Sequence, residues 1–149
     1  MASDIRYIST RGGDAPATYA DIVLRGLASD GGLFMPESYP KVSLETLEAW
    51  RSLSYADLAF EVLKLYASGI DEEALRSICR ATYTEKTYCN AREGEKASDI
   101  TPVKWLEEGL GLLQLSDGPT LAFKDMAMQY LGALFEHLLG REGRELNIL

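Results

Sequence analysis

The chain has 149 residues, 46% of them hydrophobic and 26% charged, which is the composition of a soluble globular protein large enough for one ordinary domain. A formal net charge of -8 at pH 7 argues against non-specific binding to nucleic acid or to an anionic membrane, although a locally positive site for a small anion stays compatible with it. Cys79 and Cys89 are too far apart for a Cys-x-x-Cys site, and His137 is the single histidine, so we expect no metal site.

The sequence shows no sign of a membrane or secretory segment. No apolar run approaches the length of a transmembrane helix, and residues 1–10 lack the basic and apolar regions of a signal peptide. Two isolated thiols in a chain without a leader indicate a reducing compartment. We therefore expect a cytoplasmic protein.

The first part of the chain predicts a strand, a helix and a second extended piece. Residues 5–9 alternate in polarity as a short strand does. Thr18, followed three residues later by Asp21, has the spacing of a helix N-cap related to the capping box. The expected inward face of that helix consists of Tyr19, Ile22, Val23 and Leu27. Residues 33–35 form a brief apolar strand that Pro36 ends.

Three further helices are predicted, each beginning at a polar N-cap. Ser43, Ser54 and Asp71 occupy the capping positions, and Asp57 completes a second Ser/Thr-x-x-Asp signature. Gly69 is expected to end the second of these helices. The residues expected to face inward are Leu44, Leu47 and Trp50, then Tyr55, Leu58, Ala59, Val62, Leu65 and Tyr66, and finally Leu75, Ile78 and Cys79.

A polar, charged stretch without period, residues 84–99, is typical of a loop and is the predicted domain boundary. Residues 100–106 have the pattern of an extended segment, and residues 110–115 form an apolar run of strand length after a turn, so we predict a hairpin. We divide the chain into an N-terminal domain, residues 1–90, and the beginning of a second domain, residues 91–149.

The remainder is organised around a turn that leads into a long helix. Asp117, Gly118 and Pro119 supply the turn chemistry, and Gly140 is expected to end the helix. The apolar face of the helix is predicted to contain Phe123, Ala127, Tyr130, Leu131, Leu134, Phe135, Leu138 and Leu139. Residues 146–149 have the pattern of the start of a buried parallel strand.

Lys124 lies in or beside the first turn of this helix, where the partial positive charge of the helix N-terminus disfavours a cation. Apolar neighbours such as Leu121 and Phe123 would disfavour the cation further if the turn is buried. Both effects favour the uncharged amine that forms a Schiff base, whereas Asp125 acts in the opposite direction. The residues alone leave open a solvated lysine whose stem covers Phe123.

The segment GPTLAFKDMAMQYLG closely resembles the part of threonine synthases that carries the pyridoxal-phosphate lysine. IRYISTRGG and GLASDGGLFMPESYP are similar to the opening segments of the same family, so the resemblance covers nearly the whole chain. Asp117 stands where threonine synthases often have His. The resemblance implies the tryptophan-synthase-β-like fold type, of class α/β, with an N-terminal α+β domain followed by the beginning of a pyridoxal-phosphate-dependent α/β catalytic domain.

The resemblance also implies a reaction and a site. Threonine synthase is a lyase of threonine biosynthesis that converts O-phospho-L-homoserine and water to L-threonine and phosphate. Lys124 would form the Schiff base with pyridoxal 5'-phosphate and act as the base or acid at the substrate carbons. Gly118 and Thr120, with backbone N–H groups suited to an anion, and Asp125 are secondary candidates for cofactor binding. Thr120 suits the role of helix N-cap equally well, and Asp125 that of a helix-start residue.

Threonine synthases are much longer than this chain, so we expect a truncated, catalytically incomplete piece with the remainder of the catalytic domain downstream. The loops that bind the substrate and the cofactor phosphate would lie there. Two alternatives stay open: a related serine/threonine dehydratase or phospholyase, and a non-catalytic binding fragment. Cofactor binding separates the fragment from the enzymes, and choice of substrate separates the enzymes from one another.

Overall fold

The computed structural model describes residues 5–147 of the chain. Its elements are, in order, β1 (Tyr7–Ser9), α1 (Tyr19–Arg25), β2 (Phe34–Pro36), α2 (Leu44–Trp50), α3 (Tyr55–Leu63), α4 (Glu72–Thr82), a 3-10 turn (Ala97–Asp99), β3 (Val103–Glu107), β4 (Leu110–Leu113) and α5 (Asp125–Glu142). Two antiparallel ribbons, β1–β2 and β3–β4, accompany the helices, so the described residues mix helices with strands as the predicted fold class requires.

The strand, the helix and the second extended piece predicted for the N-terminal part are present, although β2 includes Pro36, which was expected to end it. β1 pairs with β2 so that Tyr7 lies opposite Pro36. Thr18 caps α1 with a complete capping box, in which its hydroxyl accepts from the N–H of Asp21 and the Asp21 carboxylate accepts from the N–H of Thr18. The prediction that Leu27 faces inward is wrong, because α1 ends before it and Leu27 is 60% exposed.

The next three helices begin where the capping residues predict. Ser43, Ser54 and Asp71 each accept a hydrogen bond from a backbone N–H in the first turn of α2, α3 and α4. The inward face predicted for α2 is wrong, since Leu44 and Leu47 are exposed. Within residues 5–147, α2 packs closely against no other helix or strand, so its apolar side is left uncovered.

Helix α3 is shorter than its apolar pattern indicates. It ends at Leu63, whereas the predicted stripe continues to Tyr66 and the predicted stop was Gly69. After Leu63 the backbone tightens, with the N–H of Tyr66 donating to the Leu63 carbonyl. Gly69 then takes a φ of 85°, a conformation that a residue with a side chain rarely adopts.

The hydrophobic core joins α3, α4 and α5. Phe60, Cys79 and Leu134 are completely buried at its centre. Its other buried members are Ala67, Ile70, Leu75, Ile78, Tyr130 and Leu138. Because α5 lies beyond residue 90 and packs on α4 and α1 before it, the predicted boundary separates elements that share one core. The division into two domains stays a prediction.

The predicted hairpin is present, with Val103 of β3 opposite Leu113 of β4 and a left-handed Gly109 in the turn. Side chains alternate between the two faces of a strand, yet both faces of this hairpin are exposed. Trp105 is 70% exposed and Leu106 is 58% exposed. The hairpin therefore stands away from the core within the described range.

Helix α5 buries Tyr130, Leu134 and Leu138 at the spacing of one turn. The prediction that Gly140 ends the helix is wrong. A glycine within a helix weakens it by about 1 kcal/mol without stopping it, and the left-handed residue that ends α5 is Gly143, with a φ of 60°. Phe123 was also placed wrongly, because it precedes the helix and is 67% exposed.

Two other expectations concern the stretches around these elements. The polar stretch 84–99 is irregular apart from its 3-10 turn, as predicted, but Tyr88 within it is buried. The strand predicted at 146–149 lies partly outside the described residues, and Leu146 and Asn147 are irregular. Among residues 5–147, every helix is too short or too polar to span a lipid bilayer.

Candidate functional site

Lys124 lies at the end of a tight loop, residues 118–124, which we call the lysine loop. Lys124 occupies the N-cap position of α5 in right-handed helical conformation, and no side chain caps the helix there. Inside the loop, the N–H of Leu121 donates to the Gly118 carbonyl. Leu121 has a φ of 59°, a left-handed conformation that costs a residue with a side chain roughly 1 kcal/mol. The surrounding contacts must hold this conformation in place.

Asp125 holds the loop from the helix side. Its side chain is only 2% exposed, and Oδ2 accepts hydrogen bonds from both the N–H and the hydroxyl of Thr120, at 2.8 and 2.9 Å. Gly118 packs directly against this carboxylate, since a Cβ built on Gly118 would lie 2.7 Å from Cγ of Asp125. Only glycine fits there without displacing Asp125.

These contacts settle what Thr120 does within the chain. The suggestion that it is the N-cap is wrong, because α5 begins at Asp125 and the hydroxyl of Thr120 bonds to that residue instead. Its backbone N–H, which we expected to be available for an anion, is also taken by Asp125. The expectation that Asp125 is a helix-start and hydrogen-bonding residue is confirmed.

Side chains from residues 83–90 hold both ends of the lysine loop. Before it, Asn90 donates from its backbone N–H to the Asp117 carbonyl at 3.1 Å and from Nδ2 to the Gly118 carbonyl at 2.9 Å. After it, the hydroxyls of Tyr88 and Tyr83 donate to the carbonyls of Asp125 and Met126, each at 3.0 Å.

Tyr88 is suited to this task because it is 1% exposed. Burial, the main cause, raises its pKa to about 12, so the hydroxyl remains protonated and able to donate near neutral pH. Sequence analysis missed Tyr88 and Asn90 because polar composition defined the whole stretch as a loop. The available signal was a tyrosine, an aromatic residue, within a stretch of otherwise polar residues.

Asp117, whose role the sequence left open, is buried and fixed. Its Oδ1 accepts a 2.6 Å hydrogen bond from Nε2 of Gln114, which is also buried. The same Nε2 lies 3.0 Å from a carboxylate oxygen of Glu95. Asp117 thus ties the lysine loop to the end of the hairpin and, through Gln114, to the stretch 84–99.

The Lys124 side chain extends into solvent from this rigid base. It is exposed, and no hydrogen bond or ion pair joins it to another residue within 5–147. The turn is not buried within this range, because Leu121 and Phe123 are themselves more than half exposed. Lys124 therefore carries a primary amine that has no partner within residues 5–147, on a backbone position that the loop contacts hold.

The other polar residues considered for chemistry do not gather at this site. Among residues 5–147, no group of three or more His, Cys, Asp and Glu side chains is arranged to hold a metal ion. His137 is partly buried on α5, and its Nε2 lacks a hydrogen-bond partner in the described range.

Known proteins resemble this chain in sequence. The family model described as "Threonine synthase N terminus" matches residues 6–83, just over half of the chain. A threonine synthase from Methylobacillus glycogenes is 50% identical over 145 residues, which make up 97% of this chain and 30% of that protein. One from Schizosaccharomyces pombe is 42% identical over 144 residues, or 95% of this chain and 26% of that protein.

Solved structures of threonine synthases also resemble this chain. A crystal structure of PLP-bound threonine synthase from Brucella melitensis matches with a TM-score of 0.80 and 33% identity, covering 94% of this chain and 28% of that one. The yeast threonine synthase structure gives a TM-score of 0.77 and 35% identity, with 95% and 28% covered. The chain therefore spans less than a third of the length of the proteins that it matches.

Proposed function

Because this chain belongs to the threonine synthase family, we propose that it supplies the cofactor lysine of a pyridoxal-phosphate-dependent lyase. The proposed reaction converts O-phospho-L-homoserine and water to L-threonine and phosphate. It is proposed for the full-length polypeptide, since the chain spans only about 30% of the relatives' length. The observation that supports it most is the amine of Lys124, which has no partner within residues 5–147 and lies at the start of α5.

The residues present fit a cofactor that is held through an aldehyde. Such a group needs a primary amine that is not engaged in an ion pair, and Lys124 has none within residues 5–147. The adjacent carboxylate, Asp125, is bound to Thr120 and so does not need the lysine as a partner. The chemistry of the donor set therefore agrees with pyridoxal phosphate.

The cofactor phosphate needs hydrogen-bond donors, and several backbone N–H groups near Lys124 are already occupied within the chain. The N–H of Thr120 is bound to Asp125, and the N–H groups of Asp125 and Met126 donate to the carbonyls of Ala122 and Phe123. We therefore propose that the phosphate is held by residues outside the described range. In this proposal Gly118, Thr120 and Asp125 contribute to cofactor binding by shaping the lysine loop.

The chain's own chemical contribution is made by Nζ of Lys124. Bound pyridoxal phosphate supplies an electron sink for negative charge that develops at the substrate carbons. Nζ would hold the cofactor through its aldehyde carbon and, when not bound to it, would accept and return protons at the substrate α and β carbons. The exposed Leu121 and Phe123 beside it would exclude water once the remainder of the catalytic domain covers them.

The direct test is the release of phosphate and the formation of threonine from O-phospho-L-homoserine by the full-length protein. Lys124→Ala should reduce turnover by roughly 10³-fold or more, because it removes both the attachment point and the proton carrier. Lys41→Ala, which removes an exposed lysine before α2, is the matched control and should leave turnover unchanged. Ordinary activity in Lys124→Ala would disprove the assignment.

The same assay separates the alternatives. A dehydratase would convert serine or threonine to a keto acid and ignore the phosphorylated substrate. A binding fragment would release neither product. Threonine formed together with phosphate in equal amounts would leave the proposed reaction as the only one of the three that fits.

A further inference from the structure

We propose that Asn90 is a positioning residue for Lys124, acting through the carbonyls of Asp117 and Gly118. This inference rests on the proposed function of Lys124. It concerns a residue in the stretch that the sequence predicts to be only a loop between domains, and it assigns that stretch a part in the site.

The geometry of Asn90 favours this role. Its backbone N–H and its side-chain Nδ2 donate to two consecutive carbonyls, those of Asp117 at 3.1 Å and Gly118 at 2.9 Å. Paired bonds from one residue fix both the position and the orientation of the peptide between these carbonyls. That peptide joins Asp117 to the first residue of the lysine loop, so its orientation sets the direction in which the loop begins.

The far end of the lysine loop is held by the same stretch of chain. Tyr88, two residues before Asn90, donates to the carbonyl of Asp125, the residue that follows Lys124. The loop is therefore anchored on both sides by side chains two positions apart. With its ends fixed and Leu121 already in a left-handed conformation, the loop has few alternative shapes.

Exposure distinguishes the two anchors. Tyr88 is buried among the packed residues, so its removal would disturb folding as well as the loop. Asn90 is exposed, and it donates one hydrogen bond to Gly118 in the lysine loop and one to Asp117 just before it. Changing Asn90 should therefore alter the placement of Lys124 while leaving the core intact, and this makes the proposal testable.

The sharpest variant is Asn90→Asp in the full-length protein. It keeps the side-chain shape and the backbone N–H but replaces the Nδ2 donor with a carboxylate oxygen that repels the Gly118 carbonyl. Cys89→Ser, at the exposed neighbouring position, is the matched control. Each apoprotein is mixed with limiting pyridoxal phosphate and reduced with borohydride, and the pyridoxyl group on the Lys124 peptide is quantified by mass spectrometry. Thermal unfolding is recorded in parallel.

We expect the yield on Lys124 at limiting cofactor to fall about tenfold in Asn90→Asp, with the midpoint of unfolding unchanged and Cys89→Ser like the wild type. An equal yield in Asn90→Asp would overturn the positioning role and leave the proposed function standing. A lower yield that accompanies a lower unfolding midpoint would show that Asn90 acts on stability, which also overturns it. Wild-type protein without label on Lys124 would overturn the proposed function, and this inference with it.

Discussion

The helical core and the β3–β4 hairpin use apolar side chains in opposite ways. In the core, Phe60, Cys79 and Leu134 are completely buried between α3, α4 and α5. In the hairpin, Trp105 and Leu112 are more than half exposed on strands with no covered face. These core side chains are thus covered by other parts of residues 5–147, whereas the apolar side chains of the hairpin are left exposed.

The lysine loop lies between these two regions and shares features of both. Its backbone is held by buried residues, as the core is, because Asp125 makes hydrogen bonds inside it and Tyr88 makes one at its far end. Its side chains are exposed like those of the hairpin, as Leu121, Phe123 and Lys124 show. The difference between the regions suggests that contacts within the chain position the backbone of Lys124, and we propose that the rest of the protein covers its side chain.

The largest effect on stability is expected in the core. Leu134→Ala should lower the free energy of unfolding of the full-length protein by about 2–5 kcal/mol, because it leaves a cavity among packed side chains. Urea denaturation measures the change. A loss below 1 kcal/mol would contradict the view that α5 completes the core.

A smaller effect is expected where the lysine loop meets the helix. Gly118→Ala places a methyl group 2.7 Å from Cγ of Asp125 and should destabilise the protein by about 1–3 kcal/mol through overpacking. Gly132→Ala is the matched control, since a Cβ on that helical glycine has no neighbour within 4 Å. If both variants unfolded at the same denaturant concentration, the tight contact between Gly118 and Asp125 would be disproved.

Sequence patterns predicted the elements well where the signal was local. The caps at Thr18, Ser54 and Asp71 are formed by neighbouring residues, and each helix begins where its cap predicts. The turn before Lys124 and the hairpin follow from equally local chemistry. Helix ends were less predictable, as Gly140 shows, because a single glycine does not outweigh the packing of a long helix.

The contacts of the site could not be predicted from periodicity. Tyr88 and Asn90 reach the lysine loop across 28 to 37 residues of chain, and no pattern in a polar stretch reports such a contact. Predictions of which side chains are buried were wrong for a related reason. An apolar residue such as Leu44 fits an inward face by spacing alone, but burial requires another element to cover it, and spacing does not reveal that element.

The smallest effect on stability is expected in the hairpin. In the 149-residue chain, Leu112→Ser should change the free energy of unfolding by less than about 0.5 kcal/mol, since Leu112 is 51% exposed. In the full-length protein the same change should cost more, because the proposed remainder of the catalytic domain covers this surface. Equal small effects in both proteins would contradict that part of the account.

The central claim is that Lys124 is the residue that holds pyridoxal phosphate. The most direct measurement is to saturate the full-length protein with the cofactor, reduce it with borohydride, digest it and locate the pyridoxyl group by tandem mass spectrometry. The account predicts one modified site, on the peptide that contains Lys124, and loss of that modification in Lys124→Ala. A pyridoxyl group on a different lysine, with Lys124 unmodified, would contradict it.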